Sequence, residues 1–172
     1  MQLRLRIAVV GSIAVMVAST GIIGAGPAAA DSFNDAAMSV TPLNGGLAYA
    51  YVAPPDEYEF VQMESTHASP WDVPPSAGQI SYYHSSPLEC MTVDAGDADF
   101  VYLTPCTGKA SEEWTTVVVV LVTSLGDIYT YEFVSKYNGD CLNDDYFAGY
   151  LNVAPCDGGR DPGQDQEFSV IS

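Results

Sequence analysis

The chain has 172 residues, of which 22 are acidic and only 5 are lysine or arginine, so its formal charge at pH 7 is −17. A protein this acidic repels nucleic acid and anionic lipid, and both are excluded as partners. Solubility accounts for the charge without any cationic partner. The length fits one domain with its own hydrophobic core.

The N-terminal segment is typical of a secretory signal peptide. Arg4 and Arg6 precede an apolar run from Ile7 to about Ile23, and three alanines end the segment before Asp31. The alternative, an uncleaved anchor helix, fits less well because glycine and polar residues interrupt a run already shorter than a bilayer requires. We therefore expect cleavage after residue 30 and a secreted, extracellular protein of residues 31–172, free of the membrane. Loss of the two leader arginines would lower its charge from −17 to −19.

From Met38 onward, short apolar or alternating runs are separated by turn signals rich in Gly, Pro and Asn, such as Asn138-Gly139. This pattern predicts an all-β protein without long helices. The run Thr115–Thr123 is rich in β-branched valine and is predicted to form one strand of a hairpin. Its predicted return strand is Ile128–Val134.

An internal repeat organises the second half of the chain. After Cys141, the residues Leu151, Val153 and Cys156 alternate, as expected for a strand with one buried face. The upstream copy has the same order, and its second cysteine lies 50 residues before Cys156, a period that indicates stacked units. The residues of the upstream copy are Cys90, Val101, Leu103, Cys106, Gly108, Glu112 and Trp114.

A third copy, without cysteines, is aligned on Trp71. Met63 precedes this tryptophan by eight residues, as Cys106 precedes Trp114. The resulting matches are Tyr58 with Val101, Phe60 with Leu103 and Val153, Met63 with Cys106, and Leu47 with Cys90.

The three copies resemble ricin-B-type repeats, which open with Cys-Leu, have a strand ending in Cys-x-Gly and close with Gln-x-Trp. The closing motifs in this chain are Ser69-Pro70-Trp71, Glu112-Glu113-Trp114 and Gln166-Glu167-Phe168. The resemblance implies a β-trefoil of three four-stranded repeats, at about residues 38–78, 79–126 and 127–172. It also implies that Trp71, Trp114 and Phe168 are buried together under a cap of hairpins, with Phe60, Leu103 and Val153 in a second layer.

Four cysteines in an exported chain indicate two disulfides, for which three pairings are possible. The ricin-like resemblance implies bridges within repeats, Cys90–Cys106 and Cys141–Cys156. A zinc site is not expected, because the chain has no Cys-x-x-Cys and no histidine at ligand spacing. The acidic turns match no known calcium loop, so we expect neither a metal nor another cofactor.

In sugar-binding members of the resembled family, the site combines an Asp two residues after the first cysteine, an aromatic ring two before the second, and a polar pair ending at the Gln. Carboxylates and amides bind hydroxyl groups, and the ring covers the C–H face of the sugar. The third copy offers Asn143, Asn152, Asp165 and Gln166, with Tyr146 or Tyr150 as a displaced ring. The corresponding residues are Thr92, Thr104, Ser111 and Glu112 in copy two, and Tyr49, Val61, Ala68 and Ser69 in copy one.

We expect a monomeric, non-catalytic protein, because the chain has only two histidines and no nucleophile elbow. The resemblance implies a lectin-like carbohydrate-binding module with a weak site in the third repeat. We also expect substitution of Asn143 or Gln166 to leave the fold intact. The alternative is a trefoil that has lost sugar binding and acts through protein contacts, as an inhibitor or an assembly subunit. Ala154, Thr104 and Val61 occupy the ring position, which counts against the first function without supporting the second.

Overall fold

The computed structural model describes residues 4–7, 33–40, 48–52, 61–83, 85–94, 100–123, 126–145, 149–156 and 164–171. In these ranges it forms fifteen β-strands, all joined in one antiparallel sheet, and one turn of 3-10 helix at Ala110–Glu112. The strands are β1 (Arg4–Ile7), β2 (Phe33–Val40), β3 (Ala48–Val52), β4 (Val61–Glu64), β5 (Pro70–Val73), β6 (Ala77–Gln79), β7 (Ser81–Tyr82), β8 (Glu89–Val93), β9 (Val101–Pro105), β10 (Glu113–Thr123), β11 (Gly126–Ser135), β12 (Cys141–Asp145), β13 (Tyr150–Ala154), β14 (Gln164–Asp165) and β15 (Ser169–Ile171).

Three of the strand pairs are short hairpins of similar build. The first hairpin pairs β3 with β4, the second pairs β8 with β9, and the third pairs β12 with β13. The Cys90–Cys106 disulfide joins the start of the second hairpin to the residue that follows its end. The Cys141–Cys156 disulfide joins the two ends of the third hairpin in the same way. The predicted all-β class and both bridges are therefore confirmed.

Strands outside these three hairpins form a closed ring. Strand β2 pairs with β5, β5 with β7, β6 with β10, and β10 with β11. Only Ile80 separates β6 from β7, so these two strands continue one another. Tyr131 and Phe168 exchange two backbone hydrogen bonds of 2.8 Å, and β15, which begins at the next residue, pairs with β2 and closes the ring.

The hairpin of β10 and β11 is the longest in the described chain and confirms the two strands predicted at 115–123 and 128–134. Its register runs from Trp114 opposite Ser135 to Thr123 opposite Gly126. β-Branched side chains favour extended backbone, which explains why the valine run adopts a strand. The outer edge of β10 pairs with β6 near Trp114 and with β1 between Val118 and Leu121.

Trp71, Trp114 and Phe168 are each 0% exposed and belong to one hydrophobic core, as predicted. Their neighbours in that core include Met38, Phe133 and Leu142. Both tryptophans also satisfy their buried indole N–H groups. Trp71 Nε1 donates to the Ala50 carbonyl at 3.2 Å, and Trp114 Nε1 donates to the Met91 carbonyl at 3.1 Å.

These two indole hydrogen bonds correct the alignment of the first copy. Ala50 in β3 corresponds to Met91 in β8, since each accepts from the tryptophan of its own repeat. Ala50 is paired with Met63, and Met91 is paired with Leu103. Met63 therefore corresponds to Leu103, not to Cys106 as predicted.

The same register revises two further matches of the first copy. Tyr49, which precedes Ala50 as Cys90 precedes Met91, takes the place of the first cysteine that we had assigned to Leu47. Met63 replaces Phe60 in the layer with Leu103 and Val153. Phe60 and Leu47 themselves lie outside the described residues.

Of the expected signal peptide, only Arg4–Ile7 is described, as strand β1 along β10. The remainder, residues 1–3 and 8–30, lies outside the described ranges. In the part of the chain that the structure describes, no helix is long and apolar enough to cross a membrane.

Candidate functional site

The third hairpin brings Asn143 and Asn152 together, as expected, but encloses one of them. The two residues are paired between β12 and β13, and Asn143 Nδ2 donates to Asn152 Oδ1 at 2.6 Å. Asn143 is 0% exposed, and its Oδ1 atom is buried without a hydrogen-bond partner among the described residues. Asn152 is half-buried. Asn143 therefore holds its partner amide in place and is closed to a ligand in this conformation.

Gln166 is also enclosed. It is 0% exposed, and its Nε2 donates to the Pro155 carbonyl at 3.0 Å, which ties the end of the chain to the third hairpin. The expectation that truncation of Asn143 or Gln166 leaves the fold intact assumed that both side chains lie outside the core, and this assumption is wrong because both are fully buried.

The other predicted residues of this site are dispersed or lie outside the described part. Asp165 pairs with Asp144 through the backbone, but its side chain is outside what the structure describes, as is Tyr146. Tyr150 is half-buried, and its ring centroid lies 5.1 Å from that of Phe100 in the second repeat. Among the described members, no open site forms around Asn143.

The residue two before each core aromatic ring has a structural role in all three repeats. Ser69 Oγ accepts a hydrogen bond from the Val52 N–H at 2.8 Å in the first repeat. Glu112 occupies this place in the second repeat, and Gln166 in the third. The polar residue of the closing motif thus anchors a loop to a neighbouring strand.

Glu112 is the most elaborate of these anchors. The residue is 2% exposed, and its carboxylate accepts hydrogen bonds from the Thr107 N–H and hydroxyl, the Gly108 N–H and Gln79 Nε2, at 2.5 to 2.8 Å. Burial by itself raises the pKa of Glu112, but the hydrogen bonds, that of the Thr107 hydroxyl first, outweigh it and hold the pKa below its usual value. Glu112 is an ionised structural group, and it does not face a ligand.

An open group of polar and aromatic side chains lies instead on the first hairpin. His67 Nδ1 is 3.3 Å from Glu64 Oε2, and these two side chains are 66% and 40% exposed. The Thr66 hydroxyl lies 2.9 Å from the same His67 nitrogen and 3.5 Å from the same Glu64 oxygen. The rings of Tyr51 and His67 are in contact, with centroids 5.6 Å apart. We call these four residues, Tyr51, Glu64, Thr66 and His67, the first-hairpin cluster.

In the corrected register, two members of this cluster, Tyr51 and Glu64, occupy positions that the ricin-like resemblance implied for a sugar site. Tyr51 pairs with Gln62 as Asn143 pairs with Asn152. Glu64 pairs with Tyr49 as Ala154 pairs with Cys141, so Glu64 corresponds to Ala154. The sequence alignment had assigned Tyr49 and Val61 to these positions, and Val61 is fully buried in the core. The signal that could have located the cluster is the alternation Tyr49-x-Tyr51 opposite Gln62-x-Glu64.

Within the described ranges, no group of three or more His, Cys, Asp or Glu side chains is arranged to hold a metal ion. Comparison with known proteins finds no family model, no curated protein and no solved structure that matches this chain.

Proposed function

We propose that the protein is a secreted, non-catalytic, lectin-like carbohydrate-binding module built as a β-trefoil, with its sugar site on the first hairpin. The observation that carries the proposal is the first-hairpin cluster. It combines an exposed carboxylate, a hydroxyl and two rings in contact. Two of its members, Tyr51 and Glu64, stand at positions where the ricin-like resemblance implies a sugar site.

Three features support the trefoil. The chain has three hairpins of similar build, a ring of strands that closes on itself, and two tryptophans that bind equivalent carbonyl groups. In a trefoil, six strands close a barrel and three hairpins cap one end, and the observed pairings are compatible with this arrangement. The cluster would then lie on one of the three capping hairpins.

The chemistry of the cluster suits a sugar. Glu64 Oε1 and Oε2 can accept hydrogen bonds from neighbouring hydroxyls, and charge-assisted bonds of this kind are stronger than neutral ones. The flat ring of Tyr51 can cover the apolar face of a pyranose. Because the chain carries a formal charge of −17, glycans with carboxylate or sulfate groups would be repelled. Neutral sugars are the ligands that this surface favours.

The test is calorimetric or NMR titration of residues 31–172 with galactose, xylose and their oligomers. Tyr51→Ala, which removes the ring, and Glu64→Gln, which replaces a charged acceptor by a neutral one, should each weaken binding by about tenfold. Tyr129→Ala is the matched control, since Tyr129 is 56% exposed on the β10–β11 hairpin, away from the cluster.

Binding of a sugar that is unchanged in both Tyr51→Ala and Glu64→Gln would show that the site does not lie on the first hairpin. Absence of binding to every sugar would overturn the lectin proposal. Contact with a protein partner would then be the function to pursue.

A further inference from the structure

The outer surface of the three hairpins carries a continuous row of residues from all three repeats. Tyr51 is paired with Gln62, and Gln62 is in turn paired with Tyr150 of the third hairpin. Asn152, two residues after Tyr150, forms a bridge with Phe100 of the second repeat. Directly opposed residues of an antiparallel sheet, and residues two apart on one strand, lie on the same face. The members of this hairpin row are Tyr51, Gln62, Tyr150, Asn152, Phe100 and Tyr102.

Aromatic rings stand at both ends of the hairpin row. At one end Tyr51 contacts His67 of the first-hairpin cluster. At the other end the Phe100 ring lies 5.1 Å from Tyr150 and 6.3 Å from Tyr102. All four of the row's aromatic residues are half-buried, so each is held by packing and keeps part of its surface open. The amides of Gln62 and Asn152 lie between them.

The spacing of the rings exceeds what a single sugar can cover. Tyr51 and Tyr150 are two strand spacings apart, on either side of Gln62, which corresponds to roughly 10 Å. A monosaccharide on Tyr51 would leave the Phe100 and Tyr150 rings unoccupied. A linear glycan could place successive units on the two aromatic ends and present its hydroxyls to the amides between them.

We infer that the hairpin row extends the proposed sugar site, so that a neutral oligosaccharide chain binds lengthwise from the first-hairpin cluster to Phe100 and Tyr150. This inference rests on the proposed carbohydrate function and specifies its ligand as a chain of several units. A peptide is disfavoured, because the row lies on a sheet face whose strands are already paired, and a peptide adding as a strand needs an open edge. The acidic charge of the chain disfavours anionic glycans.

The experiment compares affinity with chain length. Residues 31–172 are titrated with xylose and xylo-oligosaccharides of two to six units, and with the matching galactose series. Affinity should rise with length until the row is filled. Phe100→Ala should weaken binding of the longest oligomer by roughly three- to tenfold and leave binding of the monosaccharide unchanged. Tyr51→Ala should weaken binding of every member of the series.

If Phe100→Ala does not fold, Phe100→Leu replaces it in the experiment, because leucine keeps an apolar side chain but removes the ring. Tyr129→Ala is again the control. Equal affinity for one and six units, or an equal loss at every length in the Phe100 variants, would overturn the extended site and leave the proposed function standing. Absence of binding to any sugar would overturn both. Tighter binding of an anionic oligomer, such as oligogalacturonate, would overturn the assignment of a neutral ligand.

Discussion

At the scale of single residues, Glu112 shows how a carboxylate can be buried. It lies two residues before Trp114 in the core. Burial of an ionised group is costly unless hydrogen bonds replace its hydration. Glu112 meets that condition with donors from Thr107, Gly108 and Gln79.

A pH-dependent contribution to stability follows for Glu112. Its pKa is lower in the folded protein than the value of about 4.3 expected in the unfolded chain. The stabilisation is therefore present above pH ~4.3 and is lost as the pH falls through the folded pKa. At pH 7, Glu112→Gln should lower the free energy of unfolding by about 1–3 kcal/mol. This difference from the wild type should shrink towards pH 3.

Urea unfolding followed by tryptophan fluorescence measures the free energy of unfolding of the wild type and of Glu112→Gln, at pH 7 and at pH 3. The other acidic residues are common to both proteins and cancel in the comparison. Glu113→Gln is the control, because the Glu113 carboxylate is partly exposed and its pair with Lys136 should contribute no more than about 1 kcal/mol. A difference between the wild type and Glu112→Gln that stays constant with pH would contradict an ionised Glu112.

The sequence predicted the burial of apolar residues better than the roles of polar ones. Trp71, Trp114 and Phe168 were expected in the core because they repeat at matched positions and are large and apolar. Asn143 and Gln166 match a binding motif equally well whether they face solvent or a buried carbonyl. Only the approach of Pro155 to Gln166, a tertiary contact, decides between the two orientations.

At the scale of elements, the hairpins with cysteines were aligned correctly and the one without was not. Two cysteines fix where the second and third hairpins begin and end. In the first repeat only Trp71 served as a reference, and its distance from Met63 is eight residues, whereas Leu103 and Trp114 are eleven apart. The segment from Met63 to Trp71 is therefore three residues shorter than the one from Leu103 to Trp114, and no local pattern in the sequence reveals this.

The presence of a disulfide in the second and third hairpins, and not in the first, predicts unequal stability of the three hairpins. Bridges that close loops of 15 or 16 residues each contribute about 3 kcal/mol in the chain-entropy model. The first hairpin has Tyr49 in the place of Cys141 and Thr66 in the place of Cys156, so it lacks this constraint. Amides of Ala48–Val52 should therefore exchange with solvent faster than those of Cys141–Asp145, because local opening of the first hairpin costs less free energy.

Native-state hydrogen exchange resolved by NMR measures these rates. In a Cys90→Ser, Cys106→Ser variant, protection of the second hairpin should fall relative to the third, which keeps its bridge. Protection of the first hairpin equal to that of the third would show that packing, not the disulfides, determines local stability.

At the scale of the whole molecule, stability depends on closing the ring between the two ends of the described domain. Strand β15 pairs Ser169, Val170 and Ile171 with Ser39, Met38 and Ala37 of β2. Without β15, the ring would open between β11 and β2, and β10 would stay linked to β2 only through β6, β7 and β5. Met38, which is fully buried, would then lie on an open edge. A closed ring removes such edges, and an exposed edge strand favours aggregation.

Deletion of residues 169–172 should therefore abolish the cooperative unfolding of the domain and not merely weaken one strand. The truncated protein should lose its near-ultraviolet circular dichroism, because Trp71, Trp114 and Phe168 share one core with the residues that β15 covers. Ile171→Ser is the matched control, since Ile171 is 55% exposed and its backbone pairing with Ala37 would remain. Calorimetry of the three proteins provides the measurement. A truncated protein that still unfolds in one sharp transition, within a few degrees of the wild type, would show that β2 and β11 hold together without the closing strand.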